Sequence, residues 1–400
     1  MKNQFYLFLF VSFVCIISCE EGKPLSNSQE FTELEDLSIA QVSQSSIALA
    51  DFNGDNYLDI LITGVRGFFP DEESVSRVYF NNQDGSFSTP DTSPLEGVGD
   101  GSVAVADVDN DGDQDILITG VSNQNTRVSS LYLNDGSGDF TEVSTPFQRL
   151  ARPSVAFADI DNDGDQDVMM IGEAGGFYTT KLYSNNGIGG FTEVLNTPFE
   201  NVAEGSVSFA DIDGDNDQDV LITGATYSSQ ATTKLYKNDG SGIFIEVENT
   251  PFETFWYGDA AFADVDGDND QDVVITGFID TNIAVNRQTY SKLYVNDGSG
   301  IFEEVNDTPF GGVSAIDIAF ADVDLDGDND LFIPGSGLSP NGGLYINDGS
   351  GNFTENRQAG LRGVRDGSIA FGDLDNDGDQ DVVITGLSFD GGTTLVYLYQ

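Results

Sequence analysis

Residues 158–168 read Ala158-Asp159-Ile160-Asp161-Asn162-Asp163-Gly164-Asp165-Gln166-Asp167-Val168, an acidic loop set between two short apolar runs. The pattern D-x-[DN]-x-D-x-x-x-D recurs seven times, at 51–59, 107–115, 159–167, 211–219, 264–272, 322–330 and 373–381, with starts 51 to 58 residues apart. A fixed period of this length marks a repeat architecture, in which each unit must bury its apolar face against the next. Working outward from 159–167, the repeat contains an apolar run at 154–158, the loop, a second run at 168–172 and a variable segment. It then continues through 181–184, an Asn/Gly turn at 185–189, and 190–194. Four strand-length runs divided by Gly, Asn and Asp predict an antiparallel meander of strands A to D, with no helical periodicity.

The turns agree with this reading. Asn-Asp-Gly-Ser-Gly begins at Asn134, Asn238, Asn296 and Asn347, and such residues tolerate the positive φ of a tight hairpin. Strand A alternates small residues, such as Ala104 and Ala106 or Ala156 and Ala158, which suits packing about a crowded axis. Strand B is nearly continuous apolar sequence, as in Val382-Val383-Ile384, and is expected to be buried on both faces. The last repeat ends at its C strand, whereas Phe31-Thr32-Glu33-Leu34 reads as an isolated D strand. Pairing the two removes the open edges of the array. The expected fold is all-β, a seven-bladed β-propeller of four-stranded antiparallel blades, its ring closed by the N-terminal strand completing the last blade.

Oxygen ligands at alternate positions of a tight loop suit a hard divalent cation. Positions 1, 3, 5 and 9 offer side chains and position 7 a main-chain carbonyl, so the predicted ligands form seven sets. They are Asp51, Asn53, Asp55, Tyr57 and Asp59; Asp107, Asp109, Asp111, Asp113 and Asp115; Asp159, Asp161, Asp163, Asp165 and Asp167; and Asp211, Asp213, Asp215, Asp217 and Asp219. The remaining three are Asp264, Asp266, Asp268, Asp270 and Asp272; Asp322, Asp324, Asp326, Asp328 and Asp330; and Asp373, Asp375, Asp377, Asp379 and Asp381. Position 6 is Gly or Asn in all seven, as a sharp turn demands. Up to seven Ca2+ ions are expected. The first loop should bind most weakly, because Asn53 replaces a carboxylate and Tyr57 departs from the pattern. Magnesium, which keeps its water and strict octahedral geometry, fits an all-protein cage less well.

With Leu-Tyr and Asn-Asp-Gly-Ser-Gly-x-Phe following it, the loop resembles the FG-GAP/VCBS repeat family over about residues 31–400. The resemblance implies a calcium-loaded propeller like the head of integrin α-subunits, with ligands at loop positions 1, 3, 5, 7 and 9. Phe-Ala-Asp and Ile-Thr-Gly stand where integrin repeats carry Phe-Gly and Gly-Ala-Pro, which is nearer the bacterial VCBS style.

Composition narrows the function classes. The chain of 400 residues carries a formal charge of -53. The loops hold 33 of its 68 acidic residues, so bound cations offset only part of the charge and nucleic acid is repelled. No histidine is present, which excludes imidazole bases and histidine-containing zinc sites. The two cysteines, Cys15 and Cys19, provide no disulfide framework. Residues 1–18 read as an export signal, and Ile16-Ile17-Ser18-Cys19 resembles a lipobox in which Cys19 is lipidated. The predicted organisation is signal 1–18, tether 19–30 and propeller 31–400. It implies a monomer held to the bacterial envelope, at the outer membrane or cell surface, by its lipid alone.

In such a meander the A–B and C–D turns share one face, and the long B–C and D–A connections share the other. Arg66, Phe68, Phe69, Arg149, Arg152, Tyr178, Tyr227, Phe255, Trp256, Tyr257, Arg287, Arg362 and Arg365 fall on the second face and form the candidate ligand surface. With no catalytic constellation evident, the expectation is a non-enzymatic binding or adhesion module for a glycan or protein. The alternatives are a calcium-dependent polysaccharide lyase or other carbohydrate-active enzyme, or a structural subunit of an envelope complex.

Overall fold

The structure, a computed structural model, describes residues 30–67, 71–90, 92–279, 288–313, 317–334 and 343–400. The signal segment with Cys19, the tether to residue 29, and Phe68, Phe69 and Arg287 lie outside the described residues. The described chain is all-β, without a helix, in a propeller arrangement. The third repeat shows the unit: Ala151–Ala158, Asp167–Ala174, Phe177–Ser184 and Thr192–Glu193 pair antiparallel in chain order. Its B strand is buried on both faces through Val168, Met169, Met170 and Ile171, the condition that explains its unbroken apolar sequence.

Hydrogen bonding among the described residues gives six sheets where the repeats predict seven. The difference has a local cause. Val75 in Glu73–Asn81 pairs with Val98 in Val98–Ala106, and this one pair joins the first two repeats into a single eight-stranded sheet. At the other end of the chain, Phe31–Glu33 pairs antiparallel with Gly391–Tyr399, placing Phe31 opposite Tyr399. The start of the chain thus supplies the missing D strand.

The core lies between neighbouring units. Met169, Ile171 and Leu182 of the third repeat cluster with Val207, Val220, Ile222 and Tyr236 of the fourth. Ile47, Ile60 and Ile62 of the first pack on Val383, Val396 and Leu398 of the last, so the array is closed by apolar contact as well as by strand pairing. The Thr-Pro-Phe segments add to this seam: Phe147 sits 5.0 Å from the Tyr183 ring and 4.9 Å from that of Phe191. The Tyr183 hydroxyl in turn accepts the Gln148 N–H at 3.0 Å.

A polar relay ties six of the seven repeats to the one before. The last loop carboxylate, such as Asp115, is buried; it accepts the Val108 N–H at 2.9 Å and the Asn134 N–H at 2.8 Å. Asn134 then donates its side-chain amide to the Phe52 carbonyl of the preceding repeat at 2.9 Å. Asn185, Asn238, Asn296 and Asn347 repeat this bond at 2.7 to 2.8 Å. Asn81 closes the circle by reaching Leu374 at 2.7 Å.

Asn81→Ala leaves the buried Leu374 carbonyl without its donor and is expected to cost about 2 kcal/mol in urea unfolding. Asn82→Ala, at the exposed neighbour, should stay within about 0.5 kcal/mol of the parent.

Candidate functional site

Two sites emerge at opposite ends of the inner strand. At its C-terminal end stand the acidic loops. The first carboxylate folds the loop around itself: in the second repeat Asp107 accepts the N–H of Asp111 at 3.1 Å and of Gly112 at 2.9 Å. Position 6 has positive φ in all seven loops, from 66° at Asn56 to 98° at Gly378, as the sequence predicts. Position 4 is also left-handed, which the sequence reading missed although Gly or Asn occupies six of the seven positions. Leu325 is the exception, at φ 60° and exposed.

This folding brings carboxylates 1, 3 and 9 together. One oxygen from each lies within 4.8 Å of the others in Asp107/Asp109/Asp115, Asp159/Asp161/Asp167, Asp211/Asp213/Asp219, Asp264/Asp266/Asp272 and Asp322/Asp324/Asp330. Position 5 is engaged differently: Asp111 accepts the N–H of Asp113 at 3.0 Å. The position-7 side chain covers a C–D turn, where a Cβ on Gly136 would meet the Asp113 carboxylate at 2.5 Å. That contact explains the glycine of the Asn-Asp-Gly turn. In the first loop the side chain of Asn53 accepts the Asp55 N–H at 3.0 Å.

The donor set fits a divalent cation on two observations. A buried oxygen of Asp109, Asp161, Asp213 and Asp266 has no hydrogen-bond donor, an arrangement that costs free energy unless something positive faces it. Burial pushes Asp115, Asp167, Asp219, Asp272 and Asp330 up to about 6, despite two backbone N–H donors to each and with loop carboxylates adding to the rise. A bound cation reverses that penalty. Several of the loops can therefore hold a metal ion.

At the N-terminal end of strand A, a cavity of about 350 Å3 takes residues from every repeat. A bulge shifts strand A between Gly99 and Ser102, between Ala151 and Ser154, and between Arg365 and Ser368. Bulges re-aim side chains, and here the residue seven places ahead of the acidic loop lines the cavity. These residues are Gln44, Asp100, Arg152, Glu204, Tyr257 and Asp366, all with φ between 46° and 59°. Holding non-glycine residues left-handed costs roughly 1–2 kcal/mol each, and such strain gathers at functional sites. The following residue is often glycine for a steric reason: a Cβ at Gly101 would lie 2.1 Å from the Thr119 carbonyl oxygen.

The cavity carries a net negative charge. Its carboxylates are Asp100, Glu204, Asp259, Asp317 and Asp366, and its only cation among the described residues is Arg152. Arg152 pairs with Glu204 and Glu173, and Arg127 reaches Glu173 at 2.6 Å. The Arg152 contact holds Glu173 below the usual carboxylate range. Burial raises Asp100, with Arg152 opposing the rise and Asp366 adding to it. Beside this sector Phe177 and Tyr227, both exposed, stack with centroids 5.6 Å apart, and Tyr178 meets Tyr227 edge-on at 6.1 Å.

The predicted ligand surface is thus divided. Arg152 and Tyr257 reach the cavity, and Tyr178 and Tyr227 join the aromatic cluster. Phe255 does not belong to a surface: it is fully buried in the core between the fourth and fifth repeats, because strand pairing with Ile279 turns it inward. Trp256 is half-buried. Arg66 and Arg362 pair at 2.5 Å with Glu73 and Glu33, while Arg149 and Arg365 are exposed. Sequence reasoning missed Gln44, Asp100, Phe177, Glu204, Asp259, Asp317 and Asp366. Alignment of the seven repeats carries the signal for most of these: the seventh residue ahead of each loop changes chemistry, while the fifth is Ser in all but two repeats.

The FG-GAP-like repeat family model matches residues 51–118, 117–170, 159–222, 211–275 and 336–384. No curated protein matches the chain. Among solved structures, the alpha-L-arabinanase of Penicillium chrysogenum with arabinobiose aligns over 93% of this chain and 97% of its own, at 10% identity and TM-score 0.47. The alpha-L-arabinofuranosidase of Fusarium graminearum with an iminosugar inhibitor aligns over 93% and 96%, at 10% identity and TM-score 0.48. Both of these solved structures are carbohydrate-cleaving enzymes, and the expectation of a non-enzymatic chain is not carried further. At such identity and TM-score they transfer neither substrate nor catalytic residue.

Relief of the one strained aliphatic turn residue is measurable. Leu325→Asn is expected to stabilise the protein by about 1 kcal/mol in urea unfolding, since Asn accepts the left-handed conformation at lower cost.

Proposed function

Because the chain belongs to the FG-GAP-like repeat family, we propose that it is a calcium-loaded, seven-bladed propeller that acts on carbohydrate in its axial cavity. The eight-stranded sheet counts as two blades in this reading, since its halves meet at the single pair of Val75 and Val98. The observation that carries the function is the cavity itself. All seven repeats contribute to it, and at the bulge position six of them present Gln, Asp, Arg, Glu or Tyr, while the acidic loop that follows is nearly constant. A concave site with a few convergent polar and titratable groups is the usual form of a ligand site.

The charge favours a neutral sugar chain. Five carboxylates against one paired arginine repel a polyuronate, which weakens the lyase alternative for this cavity. The Phe177/Tyr227 stack offers an apolar surface beside the Arg152 sector on which a sugar ring can lie. Calcium in the loops serves as scaffold at the far end of the strands, held by positions 1, 3 and 9. Lipidation at Cys19 would place the propeller on the envelope, where such glycans are met.

Two measurements test this. Millimolar calcium should raise the melting temperature relative to excess chelator, each site with Kd of about 10⁻⁴ M contributing on the order of 1 kcal/mol; an unchanged melting curve removes calcium from the account. Incubation with arabinan, mannan and polygalacturonate, followed by reducing-end assay, should show cleavage of a neutral polymer and none of the uronate. Absence of binding and cleavage for all three overturns the carbohydrate reading.

A further inference from the structure

The repeats supply an internal control for one position of the cavity floor. Five residues ahead of the acidic loop, Ser46, Ser102, Ser154, Ser206 and Ser368 occupy five repeats, whereas Asp259 and Asp317 occupy two consecutive ones. The position has a structural duty, which is to receive a backbone N–H from the next repeat. Ser46 accepts Val103 N–H, Ser154 accepts Val207 N–H and Ser368 accepts Ile47 N–H, each at 3.2 Å. Asp259 accepts Ile318 N–H at 3.0 Å, and Asp317 accepts Ile369 N–H.

A hydroxyl therefore satisfies the seam, and the fold has no need of a carboxylate there. The two aspartates instead add mutual repulsion at a partly buried site. Burial raises Asp259, with the charge of Asp317 adding to the rise, and burial likewise raises Asp317. Ser206 donates to Asp259, and Ser368 to Asp317. The other charged or titratable groups of the cavity are Asp100, Glu204, Tyr257, Asp366 and Arg152, the last already paired with Glu173 and Glu204. The Asp259 carboxylate reaches the N–H of Ile318, the residue next to Asp317, and both aspartates line the cavity; like charges so placed disfavour ionisation of both and favour a proton held on one of them.

We propose that Asp259 and Asp317 form the acid–base pair that cleaves a glycosidic bond in the axial cavity. This assignment rests on the carbohydrate-acting reading of that cavity. The shared proton passes to the glycosidic oxygen as its bond to the anomeric carbon breaks, and the bonding electrons leave on that oxygen. Water bonds to the anomeric carbon and returns its proton to the pair, which ends with one proton as it began. Asp100 and Asp366, which also line the cavity, stabilise the positive charge that develops at the anomeric carbon.

The decisive variants are Asp259→Ser and Asp317→Ser, because each installs the residue that five other repeats carry and so preserves the seam. On a panel of p-nitrophenyl glycosides of neutral sugars, each variant should lose at least about 100-fold in kcat with KM little changed. Turnover within a few-fold of the parent overturns the pair and leaves the cavity's function standing. A parent protein that cleaves none of the panel overturns the carbohydrate reading and the assignment together.

Urea unfolding against pH provides a readout independent of substrate. A raised carboxyl contributes stability that is fully present below the ordinary carboxylate pKa and is lost as pH rises through the raised value. The parent should therefore lose stability relative to both serine variants as pH climbs from acid through neutrality. Parallel curves would show that the two carboxylates do not confront each other, and would overturn the assignment.

Discussion

The buried carboxylate that ends each acidic loop is the contact on which the rest of the molecule depends. Asp115 and its six counterparts are almost wholly removed from water, and each receives two backbone N–H groups from different parts of its own repeat. One N–H comes from the loop and the other from the end of strand C, so the carboxylate locks the A–B loop onto the sheet. In six repeats the second donor is Asn, whose amide then reaches the preceding repeat. A loop built to gather oxygen ligands is thereby also the joint between units. A cation bound in the loop would therefore also strengthen the joint.

The seventh repeat varies this arrangement in an informative way. Tyr399 supplies the N–H to Asp381 at 2.9 Å, in the place that Asn takes in the other six repeats. The strand that should come next is Phe31–Glu33, from the other end of the chain. Asn81 holds Leu374 across the same junction. Two polar devices and one apolar cluster thus act where an open array would expose unpaired edges.

Against this uniform scaffold, variation concentrates at the opposite end of strand A. The bulge there is structural and recurs, but the side chain it presents changes from Gln to Asp, Arg, Glu and Tyr. The left-handed backbone at these positions would suit glycine or asparagine better. Keeping larger and charged residues in that conformation, and carboxylates where serine suffices, sacrifices stability around this cavity. Such local cost within an otherwise consistent design is the physical mark of a site.

The period of the acidic loop, the four-strand meander, the Gly/Asn rule at position 6 and the N-terminal D strand were all legible in the residue order. They depend on contacts within a repeat or on patterns that every repeat states again. Gathering of the loop carboxylates was legible for the same reason, since nine residues contain the whole loop; the residue order predicts positions 1, 3, 5 and 9, and the structure brings 1, 3 and 9 together. What lies between repeats was not. Phe255 reads as a surface aromatic beside Trp256 and Tyr257, and only the pairing of its strand with Phe278 and Ile279 reveals that it faces the core. Asp100, Glu204, Asp259, Asp317 and Asp366 stand one or more repeats apart in sequence, each an ordinary acid in a chain rich in them. Closing the array turns that separation into shared occupancy of one cavity. Local spacing in the residue order sets the unit, its acidic loop and its tendency to repeat; which acids face one another is set only on closure, because it depends on where the ends of the array meet.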